Sequence, residues 1–221
     1  MNQEVLIPKM RRSDKGMTKF GIPWANIVVV IFSILLIFMS AFINLNIRHY
    51  ILPAGLFSDK QFSYDDFIYV FNLIPQVPVI IFICSVLGKK LALTSVCLYI
   101  LAGLFVFPVF ALGGGIRYIF EYGFGYILAY IPAVVVSGNC LERKYTFFSM
   151  IKAALAGVLT IHILGIIYMF FIALLRHSGW EFMSGWIVCQ SGLKILYDLI
   201  LSFILVLIGR YLHNGLKFIL E

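Results

Sequence analysis

Charged residues are scarce in this chain of 221 residues. Only 12% are Asp, Glu, Lys or Arg, whereas 62% are hydrophobic and the mean hydropathy is +1.00. A soluble domain of this size could not cover so much apolar surface, but a bundle of membrane-spanning helices need not cover it. The weak alternating pattern of a transmembrane β-barrel is also missing. We therefore expect an all-α integral membrane protein, because a spanning helix satisfies its own backbone hydrogen bonds.

Cysteine and histidine are few, and neither has the spacing of a metal or redox site. The eight residues are Cys84, Cys97, Cys140, Cys189, His49, His162, His177 and His213. We interpret the cysteines as small packing residues of the apolar runs. The chain also has no phosphate-binding P-loop pattern. The sequence therefore predicts neither a metal site nor a cofactor.

Six apolar runs have roughly the ~20 residues that cross a hydrocarbon core. They cover 24–46, 69–88, 90–108, 123–141, 148–175 and 187–212. We expect one six-helix membrane domain over 24–213, preceded by a basic segment, 1–23, and followed by a short tail, 214–221. No internal repeat or linker divides it.

Basic residues indicate the orientation of these spans, because Lys and Arg accumulate on the cytoplasmic side. Twelve of them fall on one predicted side: Lys9, Arg11, Arg12, Lys15, Lys19, Lys89, Lys90, Arg143, Lys144, Lys152, Arg210 and Lys217. The opposite loops hold four, namely Arg48, Lys60, Arg117 and Arg176. Both termini are therefore predicted to be cytoplasmic in a multi-pass protein of the cell membrane. The net charge of +7 is explained by this topology and indicates no nucleic-acid partner.

A glycine triplet with a nearby arginine lies between two apolar runs, on the predicted outer side. Glycines leave the backbone open to a ligand, and an arginine can bind a carboxylate through two hydrogen bonds. Closely spaced aromatic residues follow. The candidate pocket residues of this segment are Gly113, Gly114, Gly115, Arg117, Tyr118, Tyr122, Phe124 and Tyr126. This composition predicts a small-molecule site at the mouth of the bundle.

Two charged residues lie inside the sixth predicted span. Lys194 and Asp198 are four residues apart, which places them on one helix face, and they should face the bundle interior rather than lipid. They form either part of a ligand site or a structural ion pair. His162 on the fifth span is the third titratable candidate, although a packed helix histidine is the simpler interpretation.

Two outer loops leave further alternatives open. The loop over 47–68 combines acidic and aromatic residues, namely Asp59, Asp65, Asp66, Phe57, Phe62 and Tyr64. It is either a lid over the pocket or an ordinary solvated loop. Trp180 and Trp186 in the loop over 176–186 are interpreted as interfacial anchors, with ligand stacking as the alternative.

Six short motifs follow one another along one stretch of the chain. They are Pro75-Gln76-Val77-Pro78, Val86-Leu87-Gly88-Lys89-Lys90, Tyr99-Ile100-Leu101-Ala102-Gly103, Phe107-Pro108-Val109-Phe110, the glycine triplet and Gly125-Tyr126-Ile127-Leu128-Ala129-Tyr130. This series resembles the BioY family, the biotin-binding S components of energy-coupling factor (ECF) vitamin transporters. The resemblance implies an S-component bundle that captures biotin for uptake. It also implies a T component and an ATPase pair as partners that supply the energy.

The chain departs from the family pattern at two places near the implied ligand. Asp198 matches the aspartate of the family's D-x-x-K motif, whose two residues line the biotin site, but Leu201 replaces the lysine. The family commonly has a P-T pair before the G-Y that starts the fourth helix, and this chain has Glu121-Tyr122-Gly123-Phe124-Gly125-Tyr126 there. We expect Asp198 to accept ureido N–H bonds and either Arg117 or Lys194 to bind the carboxylate, with Arg117 favoured because its guanidinium fits a carboxylate. Tyr118, Tyr122, Phe124 and Tyr126 would line the apolar part.

Three other functions remain open at the level of the sequence. The nearest is an S component for another small vitamin or precursor. An integral-membrane enzyme would need an acid–base pair, and the spans offer only Lys194, Asp198 and, in principle, His162. A purely structural membrane protein is the third, and it predicts no tightly bound ligand.

Overall fold

The computed structural model describes residues 24–52, 61–111, 113–142 and 146–220, except the side chains of residues 214 and 216–220. The predicted basic segment 1–23 lies outside this part. The helices are α1 Trp24–Phe42, α2 Gln76–Phe105, α3 Phe124–Leu128, α4 Tyr130–Glu142, α5 Phe147–Leu175, α6 Trp180–Ser191 and α7 Lys194–Leu220. Two 3₁₀ helices, Tyr64–Phe67 and Ile116–Phe120, and strands β1 Leu45–Tyr50 and β2 Ile68–Leu73 complete the described elements.

The fold class agrees with the prediction of a helical membrane protein. Five described stretches are long and apolar enough to cross a membrane: Trp24–Phe42, Gln76–Phe105, Phe124–Glu142, Phe147–Leu175 and Trp180–His213. Large apolar side chains point outward from them. On α1, for example, Phe32 is 66% exposed and Met39 is 60% exposed. Such a surface is stable against lipid and would be costly in water.

Most of the second and third predicted spans lies in α2, whose two halves are counted together as one of the five stretches. Gly88 has φ 76° and ψ 171°, so it interrupts the helical backbone. The side chains of Gln76 and Tyr99, on either side of Gly88, are hydrogen-bonded at 2.8 Å. A continuous helix would separate these residues by roughly 35 Å at 1.5 Å per residue. The two halves, 76–87 and 89–105, therefore form an antiparallel hairpin that turns at Gly88.

The predicted end of the first span and start of the second span are wrong, because these residues form a small sheet. β1 pairs antiparallel with β2 from Leu45↔Leu73 to Tyr50↔Ile68. Residues 45–46 and 69–73, expected in helices, are therefore strand residues. Their side chains include many of the apolar and β-branched types that strands share with membrane helices, which explains the error. The sheet packs on α7, as the 2.5 Å distance between the His49 imidazole and the Tyr197 hydroxyl shows.

The sixth predicted span also needs correction. Residues 187–191 belong to α6, and α7 begins only at Lys194. Gly192 ends α6 with a backbone conformation outside the helical region. The predicted outer loop over 176–186 is thus largely the start of α6. At the other end α7 runs to Leu220, so most of the predicted tail is helical.

Small residues of α3 and α4 let α5 approach closely. A Cβ added to Gly125 would lie 2.2 Å from Cβ of Tyr168. Ser137 donates a hydrogen bond to the Ala153 carbonyl at 2.9 Å, and Gly157 lies directly against Ser137. The small-residue stripe of Gly125, Ala129, Ala133 and Ser137 therefore serves packing within this chain.

Candidate ligand cavity

A cavity of about 170 Å³ lies at the end of the bundle that carries the sheet, the second 3₁₀ helix and α6. Its lining residues are Ile74, Gln76, Val77, Ala111, Tyr118, Gly123, Tyr126, Ile127, Tyr130, His162, Trp186, Gln190 and Lys194. They come from each of the helices α2 to α7 and from the segments that connect them. The cavity is smaller than the ~300–1,000 Å³ of drug-sized ligand sites. Its size therefore suits a small molecule.

Gln76 organises one wall of the cavity. Its Nε2 donates a hydrogen bond to the Tyr99 hydroxyl at 2.8 Å, and its Oε1 accepts one from Tyr130 at 2.8 Å. Tyr99 in turn donates to the Val109 carbonyl at 3.2 Å. Pro75 is the N-cap of α2, so Gln76 is the first residue of this helix, and it lines the cavity. These bonds hold the amide and both phenols in fixed positions.

A second hydrogen-bonded chain forms another part of the cavity wall. Asp198 is fully buried, and its Oδ2 lies 3.1 Å from Nε2 of His162. Nδ1 of His162 lies 2.9 Å from Oγ of Ser191, and Oγ lies 2.8 Å from the Tyr126 hydroxyl. Asp198 thus reaches the cavity through His162 rather than by lining it. Its Oδ1 is buried and has no hydrogen-bond partner among the described residues.

Lys194 supplies positive charge at the cavity. It is the first residue of α7 and the one cationic side chain among the lining residues that the structure describes. Asp198 follows one turn later on the same helix face. Gln190 and Trp186 of α6 also line the cavity. Lys194 is therefore placed to meet a negatively charged group of a ligand.

Trp186 contributes both an aromatic surface and a free donor. Its ring lies 5.4 Å from that of Tyr122, between centroids. Its indole Nε1 is buried and has no hydrogen-bond partner among the described residues. A buried, unpaired donor is costly, so a ligand acceptor at this position would stabilise the site. The placement favours ligand contact over the interfacial anchor expected from sequence.

The structure brings three of the ten predicted site residues to the cavity lining, namely Tyr118, Tyr126 and Lys194. Asp198 lies directly behind His162. Phe124 is buried between Tyr118 and Tyr168, with ring centroids 6.1 and 5.9 Å away, so it supports the wall without lining it.

The other predicted residues lie outside the lining. Arg117 is exposed on the second 3₁₀ helix. Gly113 and Gly115 have φ 126° and 88°, and Gly114 packs against Pro108, so the triplet shapes a tight turn. Tyr122 bonds to the Ser178 hydroxyl at 2.9 Å and lies under the Arg176 guanidinium. The hydrogen bonds that the Arg176 guanidinium donates to Tyr122 and Glu121 raise the pKa of Arg176.

Several lining residues were not predicted as site residues. Gln76 was part of a recognised motif but carried no assigned role, and His162 was interpreted as a packing residue. His162 and Asp198 are 36 positions apart, so no local pattern joins them. One general signal in the sequence could have identified Gln76 and His162 as site candidates. An amide or imidazole buried in a membrane span needs hydrogen-bond partners, and such polar residues are often functional.

Comparison with known proteins decides the family. The family model described as "BioY family" matches residues 13–218, nearly the whole chain. The chain belongs to the BioY family. It is 31% identical over 105 residues to the "Probable biotin transporter BioY" of Lysinibacillus sphaericus, which covers 44% of this chain and 54% of that protein. The chain thus spans about half the length of this relative.

A solved structure has the same fold. It is the crystal structure of the S-component for biotin from an ECF-type ABC transporter, with a TM-score of 0.61. The similarity covers 86% of this chain and 92% of that one, at 21% sequence identity. At this identity the match shows the fold alone, a helical membrane bundle like that of the S-component. Its sequence-based assignment to the family and to this fold is confirmed.

Proposed function

We propose that this chain is the substrate-capture subunit for biotin uptake across the cytoplasmic membrane. The observation that carries the proposal is a small cavity lined by aromatic residues that contains one described cation, Lys194. Biotin offers matching groups, since it has a carboxylate, an apolar ring and tail, and a polar ureido group. Family membership and the fold support the same substrate.

Lys194 binds the biotin carboxylate in this proposal. An anion in a low-dielectric cavity is costly unless a cation meets it. Arg117 was favoured for this role on sequence, but its exposed position outside the lining favours Lys194. Lys194 also lies on the same helix as Leu201, which occupies the position of the motif lysine, and precedes it by about two helical turns. The tyrosines Tyr118, Tyr126 and Tyr130 and the indole of Trp186 surround the rest of the ligand.

The cavity opens to the outside of the cell in the proposed orientation, with both termini in the cytoplasm. The basic residues support this orientation. A separate ECF module, with a T component and ATPase subunits, energises release inward. Membrane lipid surrounds the bundle, and the protein is a transporter subunit rather than an enzyme.

Equilibrium binding of labelled biotin to the purified chain tests the proposal. We expect saturable binding of one biotin per chain, with competition by unlabelled biotin. The matched control is the double variant Lys194→Ala/Trp186→Ala, which should lose most of this binding. A panel of other small vitamins belongs in the same assay, because Leu201 in place of the motif lysine favours a related ligand as the second candidate. Saturable binding of another vitamin, without binding of biotin, would replace the proposed substrate.

A further inference from the structure

The hydrogen-bonded chain behind the cavity has a direction. A carboxylate has no proton to donate, so Nε2 of His162 must donate to Asp198. In a neutral imidazole the other ring nitrogen is then an acceptor. Nδ1 therefore accepts a hydrogen bond from the Ser191 hydroxyl at 2.9 Å.

The direction continues to the cavity surface. Because Ser191 uses its proton toward His162, its oxygen accepts at 2.8 Å from the Tyr126 hydroxyl. Tyr126 lines the cavity, and with its own proton committed it offers only lone pairs to a ligand. The Asp198 carboxylate therefore sets, through His162 and Ser191, the direction of the hydrogen bond that the Tyr126 hydroxyl makes.

Both groups at the inner end of this chain of bonds are shielded from solvent. His162 is 1% exposed and Asp198 is fully buried. The other titratable groups at this wall are Lys194 on α7, Tyr126 on α3 and Tyr130 on α4. The chain of hydrogen bonds has the stated direction when the His162 ring is neutral.

We propose that Asp198 is a positioning residue that acts through His162 and Ser191 to make Tyr126 a hydrogen-bond acceptor, so that this wall selects a ligand N–H. The inference rests on the proposed function, in which the N–H belongs to the ureido ring of biotin. It assigns Asp198 a role at a distance, in place of direct contact with the ligand.

Replacing Asp198 by Asn should reverse the chain. The Asn amide can donate to Nε2, which leaves the proton on Nδ1. Nδ1 then donates to Ser191, Ser191 donates to Tyr126, and Tyr126 turns its proton toward the cavity. Two donors would then face each other across the ligand contact. The side chain keeps its size, so the bundle should fold as before.

A spectroscopic experiment tests the direction without any ligand. The purified chain is labelled with ¹⁵N-histidine, and the His162 signals are assigned by their loss in His162→Gln. We expect a neutral ring protonated at Nε2 in the native chain and at Nδ1 in Asp198→Asn. A neutral ring protonated at Nδ1, or a doubly protonated ring, in the native chain at pH 7 would overturn the proposal.

A double-mutant cycle with biotin tests the consequence. Asp198→Asn should lower biotin affinity about tenfold in the native background, as expected for one hydrogen bond. In a Tyr126→Phe background the same change should cost less than about threefold, since the acceptor is already gone. Tyr122→Phe is the matched control, because its hydroxyl bonds to Ser178 outside the chain of bonds, and the tenfold loss should persist there.

The outcomes of the two experiments are distinguishable. Equal losses from Asp198→Asn in all three backgrounds would mean that Asp198 acts independently of Tyr126, which would overturn the proposal. If the native chain binds no biotin, the proposed function fails. The direction of the hydrogen bonds is then decided by the ¹⁵N spectra alone.

Discussion

Gln76 and Tyr99 are 23 positions apart in the sequence, yet their side chains share a hydrogen bond of 2.8 Å at the cavity wall. The bond joins the two halves of α2 and links them to α4 through Tyr130. One amide therefore fixes both the helical hairpin and the polar wall of the site.

Gln76→Leu should destabilise the bundle, because the Tyr130 hydroxyl is then buried without an acceptor. We expect a loss of about 1–3 kcal/mol in the free energy of unfolding, seen as a lower melting temperature in detergent. Adding Tyr130→Phe should restore part of the loss, since both partners are then apolar. Thr94→Val is the control on the same helix, because its hydroxyl is exposed. If the Gln76→Leu variant melts at the same temperature as the native chain, Gln76 does not have this stabilising role.

Gly88→Ala should also lower stability, for a different reason. The backbone of Gly88, at φ 76° and ψ 171°, lies in a region that almost only glycine adopts. A Cβ would meet nothing within 4 Å, so the cost is conformational and about 1–3 kcal/mol. Gly185→Ala provides the contrast. Gly185 lies inside α6 with equally open surroundings, and there alanine should stabilise the helix by about 0.5–1 kcal/mol. A stable Gly88→Ala variant would mean that the hairpin turn does not need this conformation.

Trp186 should report ligand binding by its fluorescence. It lines the cavity, whereas Trp24 and Trp180 are 82% and 68% exposed. Biotin should change the emission of the native chain in a saturable way, and Trp186→Phe should abolish that change. Trp180→Phe should keep it. If the signal survives in Trp186→Phe, the ligand lies elsewhere.

Cysteine labelling tests the orientation. In a background without the four native cysteines, Ile116→Cys should react with a membrane-impermeant maleimide in intact cells, since Ile116 is 59% exposed near the cavity end. Lys90→Cys lies at the opposite end, beside the Gly88 turn, and should react only after permeabilisation. The reverse pattern would place the cavity on the cytoplasmic side.

Much of the fold could be predicted from the sequence, because spanning length and hydropathy are local properties. Span ends were less accurate where strand and helix composition coincide, as in residues 69–73, which form β2. The boundary between the second and third predicted spans falls beside Gly88, where the chain turns between the antiparallel halves of α2.

The candidate site was predictable in region but not in detail. The segment around the glycine triplet does border the cavity through Tyr118, and Lys194 lines it. Arg117, however, lies on the exposed side of a 3₁₀ helix, a direction that spacing alone does not specify. The pairing of His162 with Asp198 depends on how α5 packs against α7, which is a tertiary property.

The comparison of biotin with biotin amide tests the central claim most directly. The amide keeps the ring and the tail but lacks the negative charge that Lys194 is proposed to bind. The native chain should bind biotin more tightly than the amide by about ten- to a hundredfold, the range for a charge-assisted hydrogen bond. Lys194→Ala should abolish this preference, Lys194→Arg should retain part of it, and Arg210→Ala, at the far end of α7, should leave it unchanged. A preference that survives in Lys194→Ala and disappears in Arg117→Ala would contradict the account.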